Sequence, residues 1–234
     1  IGKNVKIDSF SSIHENVIIG NNCWIGSNVT IYPGARIGSN CQIFPGAVIP
    51  AIPQDLKFKG EETTAVIGNN VIIREFVTIN RGTTYSNTTS VGDNCFLMAY
   101  SHIAHDCIIK NNVIVANGVA IAGHVEIDEH VIIGGLSAIQ QFSKIGKFSM
   151  VSGGSLVRKD IPPYIKVAKE PLRFIGINKI GLQRNNFNNQ KIENITSIFR
   201  VIFQEGNNIS KALEIIENNK ENSNEKEEIL KFIK

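Results

Sequence analysis

The chain has 234 residues, a formal net charge of +3, 42% hydrophobic residues and 19% charged ones. That length admits one domain or two, and so small a charge with no long basic run argues against nucleic acid as a partner. No stretch is apolar enough to span a bilayer and no signal-peptide pattern opens the chain, so a cytoplasmic protein without membrane insertion is expected. The chain starts at Ile1 already inside a repeat, so residues upstream of it are expected too.

The first elements are short and regular. Every sixth residue is aliphatic from Ile1 through Ile7, Ile13, Ile19, Ile25, Ile31, Ile37 and Ile43 to Ile49, again at Ile67, Ile73 and Ile79, and from Val91 without a break to Val157. Only Asp55, Glu61 and Tyr85 break the phase. A helix needs a period near 3.6 and a flat strand a period of 2, so neither explains a strict six. A hexapeptide β-helix does, with each hexad forming one side of a triangular coil and its aliphatic pointing to the axis. Four residues after the aliphatic sits a small or β-branched residue, such as Val29, Ala35 or Val113, which strand alternation also turns inward. Cys23, Cys41, Cys95 and Cys107 all occupy that slot and read as buried free thiols in a reducing compartment, not as a disulfide or metal set. Pairs such as Asn21-Asn22 and Pro33-Gly34 turn the corners.

The predicted rod covers residues 1–163 and is interrupted twice, by loops at 50–66 and 80–90. The steps across them, from Ile49 to Ile67 and from Ile79 to Val91, are multiples of six, so the register resumes undisturbed. Loops at the corners of a solenoid carry binding function or are solvated decoration. Leu56 and Phe58, apolar residues flanking Lys57, favour function for the first loop. Pro162-Pro163 ends the period, 164–189 reads as an irregular connector, and 190–234 as an α-helical C-terminal domain. There Ile192, Ile195, Phe199, Ile202 and Phe203 form one helical stripe stopped by Gly206. Ser210 is placed to cap a second helix (211–218) and Ser223 a third (224–234). Covering the open end of the coil is the expected job of these helices. Phe96 and Met98, outward-facing and apolar, point to an oligomer.

Chemistry is expected at a corner of the uninterrupted run. Three hexads make a coil, so Gly123 stacks on His105 and Gln141 on Gly123, with His102 and His124 alongside and Asp106 next in sequence. His105 is the candidate general base, because imidazole titrates near neutral pH. Asp106 would orient it, and the unscreened Gly123 amide would donate to a developing oxyanion. No Gly-x-Ser-x-Gly and no outward Ser or Cys adjoins these histidines, so direct transfer to a substrate hydroxyl is favoured over a covalent intermediate. Two other readings stand beside it. Three histidines could hold zinc, as in hexapeptide-repeat carbonic anhydrases, although Gly123 and Gln141 are not ligands and Cys107 faces inward. A non-catalytic scaffold would make the column accidental.

The segments Met98–Asp106 (MAYSHIAHD), Ile121–Val125 (IAGHV), Pro53–Lys57 (PQDLK) and Gly153–Tyr164 (GGSLVRKDIPPY) together resemble the UDP-N-acetylglucosamine O-acyltransferase family. The stretches QDLKFKGEE and GGSLVRKD resemble its Bacteroidetes branch. The resemblance implies a left-handed coil and a homotrimer with sites between rods. It also implies transfer of a 3-hydroxyacyl chain from acyl carrier protein to the 3-hydroxyl of UDP-N-acetylglucosamine, the first step of lipid A biosynthesis, with no metal or cofactor. It assigns catalysis to His105, Asp106 and Gly123, and substrate binding to Asp55, Lys57, His102, His124, Gln141, Asn178 and Arg184. Acyl-length selection falls to Gly153, with Met150 beside it. The chain departs from the family at Gln140 and Asn80, where members carry His, at Ile180, where an acid is common, and at Asn185, where a second base is common.

Overall fold

A computed structural model describes residues 1–219 and 223–234. Among these, the strands fall into three sheets of ten, eight and seven. Consecutive strands join the sheets in rotation: Phe96–Leu97 lies in the first sheet, His102–Ile103 in the second and Ile108–Ile109 in the third. Each strand pairs in parallel with its counterpart one coil on, as in Ile103↔Ile121 and Ile121↔Ile139. This is the parallel β-helix that the period of six demands.

The axis is dry. Ile25, Ile31, Ile43 and Ile103 are wholly buried, and so are the small residues between them, Val29, Ala35 and Val119. At about 1.5–3 kcal/mol for each buried aliphatic, this column is the main source of the rod's stability. The cysteines sit where the phase puts them. Cys107 Sγ donates to the Ala122 carbonyl at 3.1 Å, and Cys95 Sγ to that of Lys110 at 3.1 Å. Burial pushes the Cys107 thiol up to about 12, so it stays protonated and unreactive. Corner residues adopt positive φ, and asparagines dominate there. Along one edge Asn22 Nδ2 donates to Asn40 Oδ1 at 3.3 Å and Asn70 Nδ2 to Asn94 Oδ1 at 3.1 Å.

The two loops lengthen single coils without shifting the register. Ile37 pairs with Ile67 and Ile67 with Val91, after which the regular spacing returns in Val91↔Ile109 and Ile109↔Ile127.

Beyond the prolines the structure differs from the expected irregular connector. Residues Ile165–Ala168 add one more parallel strand to the first sheet beside Met150–Val151, and Arg173–Ile177 folds back antiparallel on it. Ile165 and Val167 are buried while Lys166 and Ala168 are half-buried, an alternation of period 2 that the sequence carries once the period of 6 stops. Helix α1, Lys179–Arg184, follows. Helix α2, Asn189–Phe203, buries Ile192, Ile195, Phe199 and Ile202 of the expected stripe, whereas Phe203, at its last position, is exposed. Helix α3, Ile209–Asn218, starts before the expected position and is capped by Asn208 instead of Ser210. The Asn208 side chain accepts from the Lys211 amide at 2.9 Å, a geometry that Ser210, already inside the first turn, cannot offer. Helix α4, Asn224–Ile233, is capped by Ser223 as expected. It is tied to the rod through Glu228, which accepts from Lys147 Nζ and Tyr164 Oη. Among the described residues no helix is long and apolar enough to cross a membrane.

Candidate active site

His105 and Asp106 lie in the corner between the second and third sheets, between the strands His102–Ile103 and Ile108–Ile109. Neighbours in sequence rarely point the same way, but here Asp106 has φ +58°. That left-handed turn brings its carboxylate beside the preceding ring. His105 Nδ1 donates to Asp106 Oδ2 at 2.8 Å. The tautomer this selects carries its proton on Nδ1 and leaves the Nε2 lone pair free.

The Asp106 side chain is wholly buried. Oδ1 accepts from the Thr83 amide at 3.0 Å, the Ser86 amide at 3.2 Å and Ser86 Oγ at 2.5 Å, and Oδ2 from Thr83 Oγ1 at 2.7 Å. Its own amide donates to Thr89 Oγ1 at 2.8 Å. Burial pushes this carboxyl up, but the hydrogen bonds from Ser86, Thr83 and His105 outweigh that effect and hold its pKa at about 2. It is therefore an anion at neutral pH.

One coil on, Gly123 packs flat against the imidazole. A Cβ there would lie 2.7 Å from His105 Cε1 and 2.8 Å from Nε2, so only glycine lets the two coils close with the ring between them. His124 stands edge-on to His105 with ring centroids 4.9 Å apart, and its amide donates to the His105 carbonyl at 3.0 Å. Phe142 stacks on the far face of His124 at 4.4 Å, and Tyr85 from the second loop meets its edge at 4.5 Å. Burial lowers the His124 pKa; Asp106 and Asp55 partly counter this, and His105 adds to it. Asp55 lies in the first loop. Asp55 Oδ1 accepts from the Lys57 amide at 2.9 Å, and Lys57 itself is exposed. His102, half-buried, shares a hydrogen bond with Thr78 Oγ1 at 2.7 Å. Burial, then the neighbouring His105, lowers its pKa. Gln141 is exposed at the same corner.

Four predicted residues lie elsewhere on the chain. Asn178 caps α1, accepting from the Gly181 amide, and its Nδ2 donates to the Phe148 carbonyl at 2.9 Å. Phe148 stands at the corner between the third and first sheets, one corner away from His105. Arg184 ends the same helix and is exposed. Gly153 is exposed at the corner between the first and second sheets, and Met150 is half-buried in the adjoining strand. The sequence reading missed Thr78, Thr83, Tyr85, Ser86, Thr89 and Phe142. One coil before Asp106 falls on Thr88, so the second loop had to run beneath the His105 corner, and that arithmetic was the available signal.

His105, Asp106 and His124 together have the donor types of a cation site. The Asp106 oxygens, however, already accept five hydrogen bonds, against about four lone-pair positions. This donor set fits a fixed counter-charge for an imidazole and not a metal ligand. A groove of about 560 Å³ between the third sheet and α4 is lined by Lys110, Glu126, Lys144 and Lys231 and none of the histidines. Its walls are ion-paired, Lys110 with Asp128 at 3.1 Å and Lys144 with Glu126 at 3.2 Å.

A family model described as Udp N-acetylglucosamine O-acyltransferase, Domain 2, matches residues 160–234, and one for bacterial transferase hexapeptide (six repeats) matches 16–51 and 88–123. The acyl-[acyl-carrier-protein]–UDP-N-acetylglucosamine O-acyltransferase of Sulfurihydrogenibium sp. (strain YO3AOP1) is 48% identical, covering 100% of this chain and 87% of that protein. The chain belongs to the UDP-N-acetylglucosamine O-acyltransferase family. The member from Aquifex aeolicus (strain VF5) is 55% identical over 80% of this chain and 72% of its own length. The crystal structure of the acyltransferase from Bacteroides fragilis 9343 superposes with a TM-score of 0.97 at 50% identity, covering 99% of this chain and 91% of that one. The coil is accordingly the family's left-handed β-helix, and the likeness agrees with the branch that the QDLKFKGEE and GGSLVRKD segments suggest.

Proposed function

We propose that this chain transfers a 3-hydroxyacyl group from acyl carrier protein to the glucosamine 3-hydroxyl of UDP-N-acetylglucosamine, the step that opens lipid A biosynthesis in the cytoplasm. Family membership supports the reaction. One observation carries the assignment of residues: a buried, fixed carboxylate holds His105 by Nδ1 while Gly123 lies against the other side of the ring. His105 Nε2 takes the proton of the sugar 3-hydroxyl as its oxygen attacks the thioester carbonyl. The Gly123 amide donates to the resulting oxyanion. Collapse expels the carrier's thiolate, which takes the proton back from His105, so the imidazole ends as it began. Asp106 compensates the transient imidazolium.

The remaining assignments follow the same reading. Asp55, Lys57, His102, His124 and Gln141 contact sugar and acyl groups, Asn178 and Arg184 the nucleotide, and Gly153 with Met150 the far end of the acyl chain. Asn178 and Gly153 stand at corners other than that of His105, so one rod cannot bring them together and a homotrimer with sites between rods is part of the proposal. Phe96 and Met98 are half-buried and argue little for it. The better support is an apolar ridge on the corner between the first and second sheets, where Phe76, Tyr100 and Leu136 are 52%, 66% and 78% exposed. Within that assembly residues 1–163, extended by the strand Ile165–Ala168, form the catalytic rod, the rest of 164–189 the link and 190–234 the cover.

The test is product mass after incubation with UDP-N-acetylglucosamine and a series of 3-hydroxyacyl carrier-protein thioesters. One O-acyl addition is expected, and its absence with every donor overturns the proposal.

A further inference from the structure

Asp106 faces two imidazoles. His105 Nδ1 lies 2.8 Å from its Oδ2 and His124 Nδ1 3.9 Å from the same oxygen, and the latter nitrogen is buried without a hydrogen-bond partner. A carboxylate free to turn about its last bond would settle between the rings and orient neither, because that torsion is soft.

The second loop prevents the turn. Thr83 Oγ1 fixes Oδ2 at 2.7 Å and Ser86 Oγ fixes Oδ1 at 2.5 Å, one hydroxyl on each oxygen, and the two backbone amides are longer at 3.0 and 3.2 Å. Ser86 Oγ also lies 2.8 Å from the Thr88 carbonyl, but it has a single proton, and the charged acceptor at the shorter distance takes it. The loop also has ties of its own, apart from Asp106. The Asn87 amide donates to the Thr83 carbonyl at 2.7 Å, the Gly82 amide to the Thr64 carbonyl at 3.0 Å, and Thr63 Oγ1 to the Gly82 carbonyl at 2.6 Å. A loop tied to its neighbours by these bonds thus delivers two hydroxyls to a buried carboxylate.

We infer that Thr83 and Ser86 are positioning residues of the transfer reaction, whose hydroxyls hold the Asp106 carboxylate on His105 and away from His124. The inference rests on His105 being the base. The other ionisable groups near that ring are His102 and His124, with Asp55 acting on His124.

The test uses the full chain with a saturating acyl donor. Thr83→Val and Ser86→Ala each remove one hydroxyl and keep the backbone amide. Each should lower kcat about tenfold to a hundredfold, the worth of one hydrogen bond to a charged group. KM for UDP-N-acetylglucosamine should stay within about twofold. The acidic limb of the kcat/KM profile should move to lower pH, because a carboxylate that swings away from His105 stabilises its imidazolium less. Thr83→Ser and Ser86→Thr, which keep the hydroxyl, should restore both rate and limb. In an Asp106→Asn background neither loss of hydroxyl should lower kcat further, since both act through that carboxylate. Additive losses there, or unchanged kcat and pH limb in both single variants, overturn the inference. If one variant fails to fold, the other and its cycle with Asp106→Asn decide alone. A wild-type chain without transferase activity, or an active His105→Ala, instead overturns the functional reading on which this rests.

Discussion

Replacing Gly123 by alanine is the most direct probe of the His105 assignment, because the structure fixes what the added methyl must do. No positive φ is required at Gly123, so alanine fits its backbone. The Cβ would arrive 2.7 Å from His105 Cε1, where ordinary contact begins at 3.4 Å, so ring and methyl must separate by about 0.7 Å. The coil backbone is held by parallel pairing on both sides of the corner, which leaves the imidazole to move. A shift of that size stretches the 2.8 Å bond to Asp106 past the range of a good N–H···O contact. It also displaces Nε2 from the reacting oxygen, and misplacement by about 1 Å costs on the order of 10²-fold in rate. The expected result is a fall in kcat of about a hundredfold with the melting temperature within a few degrees of wild type. The assay is transfer from a labelled 3-hydroxyacyl carrier protein, with a circular-dichroism melt on the same preparation. A Gly123→Ala enzyme with kcat within a factor of two of wild type would show that His105 and Gly123 do not jointly form the reacting centre.

His105→Ala should lower kcat by about 10²–10⁴, the usual range for loss of a general base, whereas His130→Ala, stacked on Phe148 at another corner, should retain near-wild-type turnover in the same assay. Light scattering should give three chains per particle, and an active monomer sinks the shared-site proposal. For Gly153→Met the added Cβ would lie 3.1 Å from the Gly135 carbonyl oxygen and 3.6 Å from the Gly135 nitrogen, so the neighbouring coil has to give by a few tenths of an ångström and the fold should survive. Competition between short and long thioesters should then show a shift toward shorter acyl chains of roughly a hundredfold, from about four methylenes excluded at ~0.8 kcal/mol each. Stability should also depend on pH in two windows. Asp106 falls from 3.8 to about 2 on folding, so it contributes about 2 kcal/mol that is present above pH 4 and lost as pH drops through 2. His102 and His124 are depressed below 6.5, so the unfolded chain gains protons first and stability declines as pH falls below 6.5. Urea midpoints that stay flat between pH 7 and pH 5 contradict the histidine part.

The rod was legible because its constraint is local and repeated. Each inward slot tolerates only an aliphatic or a small residue, so Ile103, Cys107 and Ile109 announce their orientation without knowledge of any neighbour. The region after Pro163 was legible only in part. Its period-2 pattern spans a few residues, Ile165 to Ala168, too short to stand out from the hexads before it. The cap of α3 was misplaced for a different reason: Asn208 and Ser210 are both competent side chains two positions apart, and only the path of the backbone decides which one has a free amide above it.

The site divides along the same line. His105, Gly123 and Gln141 could be aligned by counting because a coil of fixed length turns sequence distance into a stacking relation. The same counting failed to assign a role to the second loop, since an insertion has no period and its polar residues, NRGTTYSNTTS, look like solvated decoration. Yet that polarity is what the corner needs. A buried carboxylate within a rod of aliphatics is tolerable only if donors reach it, and the inward slots beside it do not supply them: Cys107 and Val125 are buried there, and the inward serines further along, Ser137, Ser149 and Ser155, donate to backbone carbonyls. The donors have to come from a segment that leaves the repeat and returns to it. An acidic residue at a positive-φ corner position, with an irregular polar loop one coil before it, is therefore a sequence signal in its own right. It locates a buried charge and the insertion that solvates it, and in this chain it picks out Asp106 and the loop carrying Thr83 and Ser86.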